Sequence, residues 1–573
     1  MRRGTRSRVP GRSRAGWALV VVAIWIGCSR IEVEEPAAEA VAEPGDGSGA
    51  ALEADREAPS DDARFVVQTA GSQPAAAFLD RVVSRYGPDA TVEPLFPEVD
   101  PANDPEGMAR MYRVTIPWDA VDHVRPWDAA YALEEELDLA EAEPDFDVTY
   151  SEELEAGRLC FVVDEPPSDK AWSLKAVRAD AAWQLAPPGN GRRFGEGISV
   201  CHPDTGWADH VELDVARLDL VRARNLLAGG SANGQDPLDY GGTLMNPGHG
   251  TSTAAVIVSE HEVGEVLGMA PRARLVPIRT ARSVVQVLDS DLARAVSYAV
   301  DADCDVISMS LGGRAFFGLR AAIRRAVRNG LIVAAAAGNC VRFVVAPAAY
   351  PECLAVAGTN VRQEPWPGSS RGGAVDVSAP GEHVWTAKRS ELAAPTTGLA
   401  AGQGTSYAVA NVAGAAALWL AYHDANGSAA AAGGATVQET FREVLGRTAT
   451  VPEGWDADYG AGILDVQALL AATPAPPESL PAPTESGAEE LELLAAVVDR
   501  TPGELAPLVA ALFEVPVAAV EDELERWGPE LIQLALADPA EFERLLGALA
   551  REEAGRPEEL LPGASERLQR RIP

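Results

Sequence analysis

The chain is poor in cysteine, histidine and positive charge, and each shortage removes a class of protein. Six cysteines in 573 residues are too few for a disulfide scaffold of this length. None stands at the CxxC spacing of a zinc site, and "HEVGE", starting at His261, lacks the second histidine of an HExxH motif, so no metal is assigned. Lysine and arginine number 48 against 85 aspartates and glutamates, a formal charge of −37. A phosphate backbone would be repelled, which excludes a nucleic-acid partner. The apolar stretch near the start, "AGWALVVVAIWIG", is too short to span a bilayer comfortably.

What is present points to several units. At 47% hydrophobic and 23% charged residues, the chain can bury a substantial core and should divide into domains. Residues 1–28 carry arginines ahead of the apolar run, which stops at Cys28; this is the charged n-region and h-region of an export signal. The "WIGC" ending resembles a bacterial lipoprotein signal, in which Cys28 is lipidated and becomes the N-terminus. An ordinary cleaved signal or an uncleaved anchor, with Cys28 incidental, is the other reading. All place the chain outside the cytoplasm as an exported bacterial protein, lipid-anchored to membrane in the cell envelope or secreted.

Residues 29–63, rich in Glu, Ala, Pro and Gly, read as a disordered tether. Residues 64–150 follow the order β-α-β-β-α-β, a small ferredoxin-like α+β domain. Over 170–471, apolar runs such as "GISVCHPD", "CDVISMSLGG" and "GLIVAAAAGN" alternate with helical stretches. Alternation of this kind gives an α/β domain, a parallel sheet sandwiched by helices, with ligands beyond the carboxyl ends of the strands. A proline-rich linker, 472–488, leads to an acidic helical domain, 489–573, in which "VAAVEDELERWG" and "PELIQLAL" read as separate short helices. No chemistry is apparent there.

Exported chains can form disulfides. Cys340 and Cys353 flank an apparent loop and are the candidate bridge; Cys201 and Cys304, in apolar strand-like runs, read as buried thiols.

Four residues carry the candidate chemistry. Asp204 ends the first core strand in "HPDTGW", where an aspartate is equally a turn former. His249 opens a helix between two glycines in "NPGHGTSTAAVIV", unlike a satisfied core histidine. Asn339 ends "AAAAGN". Ser406 follows "GQGT" at a helix start, as either an N-cap or a nucleophile. Each alone is weak. Together they supply a carboxylate, a base, an amide donor and a hydroxyl.

The blocks "DTGWADHVEL", "GHGTSTAAVI", "ISMSLGG", "AAAAGN", "DVSAPG", "GTSYAVANVAGAAAL" and "YGAGILDVQALL" resemble, in order, those of the subtilisin-like serine proteases, the subtilases, over roughly Trp172 to Leu470. The resemblance implies a subtilisin-like fold and an exported serine endopeptidase working through an acyl-enzyme. Ser406 would be the nucleophile, His249 the base, Asp204 its orienting acid, and Asn339 with the Ser406 N–H the oxyanion hole. Ser308, Ser310, Leu311 and Gly312 would pair with a protein or peptide substrate, and Ala336 and Gly338 would wall its specificity pocket.

The resemblance also implies that the N-terminal domain is an inhibitory pro-domain, with "AEAEPDF" laid in the cleft beside "SMSLGG" and maturation between Asp145 and Trp172. No cofactor is required, and calcium, common in the family, is left open because no clear loop motif appears. The chain departs from the family after the nucleophile, where Tyr407 replaces the usual methionine. A catalytically impaired subtilase that binds peptides or partners is therefore the alternative. "DTG" also marks aspartic proteases, but that chemistry needs two such aspartates and the chain offers one.

Overall fold

The computed structural model describes residues 62–121, 125–145, 164–227, 229–241, 245–260, 265–284, 289–313, 316–423, 437–475, 480, 489–498, 500–551, 561 and 563–573. The expected signal, Cys28, Cys160 and nearly all of the tether lie outside these residues.

The N-terminal domain runs β1 (Asp62–Thr69), α1 (Ala75–Tyr86), β2 (Thr91–Pro94), β3 (Met111–Pro117), α2 (Pro126–Leu137) and β4 (Leu139–Pro144). Its strands form an antiparallel sheet in the order β2-β3-β1-β4. β1 starts two residues inside the stretch expected as tether. β3 alternates between buried and partly exposed positions beyond its first pair, the pattern of a sheet with one face on a core.

The central domain is built on seven parallel strands, β5 (Ser199–Asp204), β6 (Arg224–Asn225), β7 (Arg274–Arg279), β8 (Val306–Met309), β9 (Ile332–Ala336), β10 (Leu354–Thr359) and β11 (Val375–Pro380). Their order is β11-β10-β9-β8-β5-β7-β6. β5, β8, β9 and β10 are buried at every position, because helices cover both faces. Those helices are α3 (His249–Val258), α4 (Asp289–Asp301), α5 (Phe317–Arg328), α6 (Thr405–His423) and α7 (Val437–Thr448). α6, rich in Ala, Gly and Val, is buried from Thr405 to Ala421 and passes through the core. A hairpin, β12 (Val384–Ala387) with β13 (Leu399–Gly402), precedes it. β5 lies between β7 and β8, where the two halves of the sheet meet, so a crevice opens at its carboxyl end.

The cysteine pairing differs from expectation. Cys201 and Cys304 are disulfide-bonded, with Cα atoms 5.9 Å apart, rather than buried thiols. Cys201 lies on β5 opposite Ile307 of β8, and that parallel pairing brings the turn carrying Cys304 beneath it. Cys340 and Cys353 do not bridge. Cys353 is a free buried thiol, its pKa pushed well up by burial, while Cys340 is disulfide-bonded elsewhere.

The C-terminal helices are α8 (Glu489–Val497), α9 (Pro502–Phe513), α10 (Val520–Ala537) and α11 (Pro539–Ala550). Thr501 and Glu504 form a capping box at the start of α9. The two helices expected around Gly528 and Pro529 are one, α10, which runs through the proline. Proline removes one backbone donor, at a cost of about 3 kcal/mol. Burial of Val520, Leu524, Trp527, Leu531, Ile532, Ala535 and Leu536 on the neighbouring helices offsets that cost.

The N-terminal sheet sits against α4 and α5. Arg113 of β3 pairs with Asp291 at 2.5 Å and bonds Ser290, and the Asp145 carboxylate accepts from Ser290 Oγ at 2.6 Å. Glu106 pairs with Arg328 and Arg324 of α5. "AEAEPDF" is therefore not laid beside Ser308–Gly313. Through Asp145 it is the edge strand of the N-terminal sheet, paired with β1, and Asp145 caps the start of α4.

Candidate active site

Asp204 ends β5 and is fully buried. His249 opens α3, and the start of that helix dictates its neighbours. Gly248 takes φ 77°, and a Cβ there would fall 1.7 Å from the Arg389 carbonyl oxygen. A Cβ on Gly250 would fall 2.2 Å from Gly206 O, so only glycine lets the helix close on the turn after β5. The Asp236 carboxylate accepts the Gly248 N–H at 2.7 Å.

With this packing, His249 Nδ1 lies 2.8 Å and 3.0 Å from the two Asp204 oxygens. The Nδ1–H donates there, which leaves Nε2 as the basic nitrogen of the neutral ring. Burial alone would raise the Asp204 carboxyl. The charge and hydrogen bond of His249, then His202 and the Thr205 N–H at 2.7 Å, overcome it and hold the carboxyl below its ordinary value.

Sequence reasoning passed over two residues behind this pair. His202, two positions before Asp204, is buried, and its Nε2 lies 3.0 Å from Thr253 Oγ1, itself 3.3 Å from Asp204 Oδ2. Burial lowers the His202 pKa, keeping the ring neutral. Since alternate residues of a strand share a face, "HPD" carried the signal.

Ser406 stands in the first turn of α6 and is 2% exposed. Its hydroxyl donates to the Ser310 carbonyl oxygen at 3.3 Å. Asn339, just past β9, accepts from the Thr405 N–H at 2.8 Å and from Thr405 Oγ1 at 3.0 Å. Its amide oxygen is thus occupied, which fixes Nδ2 as the outward donor. A methyl group on Gly404 would lie 3.7 Å from Ser406 N and from both Asn339 Nδ2 and Oδ1, so the Asn339 amide and this N–H face one point. Thr405 was the residue beside Ser406 that sequence reasoning did not single out.

Tyr407 is fully buried, its ring against Gly402, and its hydroxyl lies 3.4 Å from Ser252 Oγ on α3. It therefore ties the helix of Ser406 to that of His249. Of the expected substrate residues, Ser308 is enclosed in the sheet, paired with Ala334 and fully buried, and has no strand edge to offer. Ser310, Leu311 and Gly312 follow beyond the end of β8. Ala336 ends β9, and the Gly338 N–H contacts Thr405 Oγ1 at 3.2 Å. One group among the described residues, Asp164, Glu382 and His383, could hold a cation. Its imidazole, already bonded to Asp164 at 2.7 Å, does not fit the all-oxygen coordination of calcium.

Residues 195–462 match the subtilase family. Subtilisin E of Bacillus subtilis is 36% identical over 226 residues, 38% of this chain and 55% of that protein, so the chain spans about half the length of this relative. A subtilisin of Bacillus pumilus is 35% identical over 226 residues, 38% of this chain and 76% of that protein. Thermitase of Thermoactinomyces vulgaris is 32% identical over 257 residues, 44% of this chain and 82% of that protein. A solved protease structure from Pseudoalteromonas arctica superposes with a TM-score of 0.44 at 24% identity, over 53% of this chain and 97% of that one. With Asp204, His249 and Ser406 in the chain order of these relatives' family, and two of them more than two-thirds covered, the chain belongs to the subtilase family of subtilisin-like serine proteases.

Proposed function

We propose that this chain is an exported serine endopeptidase that cuts protein or peptide substrates through an acyl-enzyme. The observation that carries the reading is the buried Asp204 carboxylate bonded to His249 Nδ1 at 2.8 Å, beside the helix that carries Ser406 in its first turn. Ser406 Oγ attacks the scissile carbonyl carbon as His249 Nε2 takes its proton. Asp204 holds the Nδ1–H tautomer and stabilises the imidazolium. The tetrahedral oxyanion accepts from Asn339 Nδ2 and the Ser406 N–H, both fixed before reaction. Collapse of the intermediate breaks the C–N bond, with the proton on Nε2 passing to the leaving amine. Water, deprotonated by the same nitrogen, then releases the acid.

The same reading covers the rest of the chain. The domain of 64–150 is an inhibitory pro-domain, supported by its seat on α4 and α5 through Arg113, Asp145 and Glu106. The signal and Cys28 anchor the protein to a membrane outside the cytoplasm. A fluorophosphonate label mapped by peptide sequencing tests the chemistry: adduct on Ser406, lost in Ser406→Ala with the circular dichroism unchanged, is the expected result. Hydrolysis retained by Ser406→Ala would overturn the assignment.

A further inference from the structure

We propose that the C-terminal helices are a clasp for the N-terminal domain, gripping its helix α2 and holding the domain on the central domain. The inference deepens the inhibitor reading given above and rests on it for its regulatory meaning.

Helix α2 is buried on two sides. Ala129, Ala130, Leu133 and Leu137 pack within the N-terminal domain. The remaining stripe, Trp127, Asp128, Tyr131 and Glu134, recurs at helical spacing and meets the C-terminal helices. The Tyr131 hydroxyl donates to Glu530 Oε2 of α10 at 2.9 Å, with both groups buried. Glu530 also accepts from Ser565 N at 2.6 Å and Ser565 Oγ at 3.0 Å, so its carboxylate is fully engaged. Arg526 stacks on the Tyr131 ring at 4.9 Å and forks onto Glu134, one bond at 3.0 Å. Trp527 meets the same ring edge-on at 5.5 Å. Trp127 donates to Gln533, and Asp128 accepts the Glu566 N–H at 2.7 Å. Buried and charge-paired contacts of this kind are those of a specific interface.

The same helices also reach the central domain. Val497, Val498 and Phe542 line a cleft with Arg342 and Phe343, and Glu490 of α8 faces Arg320 and Arg324 of α5. One apolar cluster joins all three units. The consequence follows from connectivity. A cut after Asp145 frees the N-terminal domain from the central domain's chain, but the clasp remains attached through residues 472–488. Departure of the cut domain must then break two interfaces at once, so cleavage alone does not release it; losing the clasp as well leaves only the seat on α4 and α5 to break.

The test uses the full chain carrying Ser406→Ala, with a recognition sequence for an added protease placed between residues 146 and 163. After cutting, the N-terminal fragment should co-elute with the remainder on size exclusion. Arg526→Glu should speed its departure about tenfold or more, because a like charge then faces Glu134. Glu134→Arg in addition should restore retention, and Gln533→Ala, a milder change, should give a smaller effect in the same direction. Equal departure rates in all variants, or immediate loss from the parent chain, would overturn the clasp. The same variants with Ser406 intact separate the two readings. Faster departure with matching faster onset of peptide hydrolysis supports both; faster departure with no change in hydrolysis supports the clasp and removes inhibition by the domain.

Discussion

Ser310 and Ser406 exchange hydroxyl-to-carbonyl hydrogen bonds. Ser310 Oγ donates to the Ser406 carbonyl oxygen at 3.1 Å, and Ser406 Oγ donates to that of Ser310 at 3.3 Å. The exchange locks the first turn of α6 to the segment after β8, the segment expected to receive substrate, and sets the resting direction of the Ser406 hydroxyl.

Ser310→Ala removes one of these bonds and leaves the acceptor of the other in place. It should lower stability by about 1–2 kcal/mol and turnover by less than about tenfold, with the fluorophosphonate adduct still on Ser406. Urea unfolding and steady-state kinetics measure both. A loss as large as that of Ser406→Ala, with the adduct found on Ser310 in the parent chain, would reassign the nucleophile to Ser310.

Asn339 gains its direction from Thr405. Asn339→Ala deletes an oxyanion donor and should lower kcat by about 10²–10³ with KM nearly unchanged. Thr405→Val keeps the shape but loses the hydroxyl bonded to Asn339 Oδ1, and leaves the N–H bond at 2.8 Å. Its loss should be smaller, about tenfold, and in the Asn339→Ala background should shrink to what the contacts of the same hydroxyl with Gly338 carry. Additive losses would mean that Thr405 acts on something other than Asn339.

Much of the site was legible because strands buried on both faces announce their ends. The runs leading to Asp204 and Asn339 stop at polar residues, and the glycines around His249 mark a close approach that the Gly206 and Arg389 carbonyls explain. Contacts between distant segments were not legible. Cys201 and Cys304 are 103 residues apart and meet because β5 and β8 are neighbours, a matter of strand order that no local spacing encodes. Ser308 belonged to a strand whose edges were already taken. The stripe on α2 reads like any solvated or half-buried face until α10 covers it, and Pro529 reads as a break until the packing around it is seen.

His202 should be a positioning residue for Asp204. With its Nε2–H donating to Thr253 Oγ1, it steers the Thr253 hydroxyl, which lies 3.1 Å from the His249 carbonyl oxygen and 3.3 Å from Asp204 Oδ2, a two-step support for the pair. His202→Leu removes it and makes Asp204 more basic, so the His249 imidazolium is better held. The acid limb of the kcat/KM profile should move to higher pH by a few tenths of a unit, and His202→Gln, which keeps a donor, should restore it. An unmoved limb in His202→Leu would leave His202 a packing residue only.

Glu141 should make the clasp sensitive to pH. It lies on β4 with Glu134 of α2, Glu490 of α8 and Glu525 of α10 around it and Arg526 opposing, and it still touches solvent. Burial first, then Glu134, pushes its carboxyl up to about 7. An acid whose folded pKa lies above the unfolded value, near 4.5, binds more protons when folded. Its contribution is therefore fully present below the unfolded pKa and is lost as pH rises through about 7. In the cut Ser406→Ala chain, the N-terminal fragment should stay bound longer at about pH 5.5 than at about pH 8, where a fourth carboxylate charge joins the cluster. Glu141→Gln cannot ionise, so it should hold the fragment at the higher pH as well as the parent does at the lower and flatten the profile between them. Size exclusion across that range reads both chains directly. A parent profile without slope, or a slope that survives Glu141→Gln, would place the titrating group elsewhere in the interface.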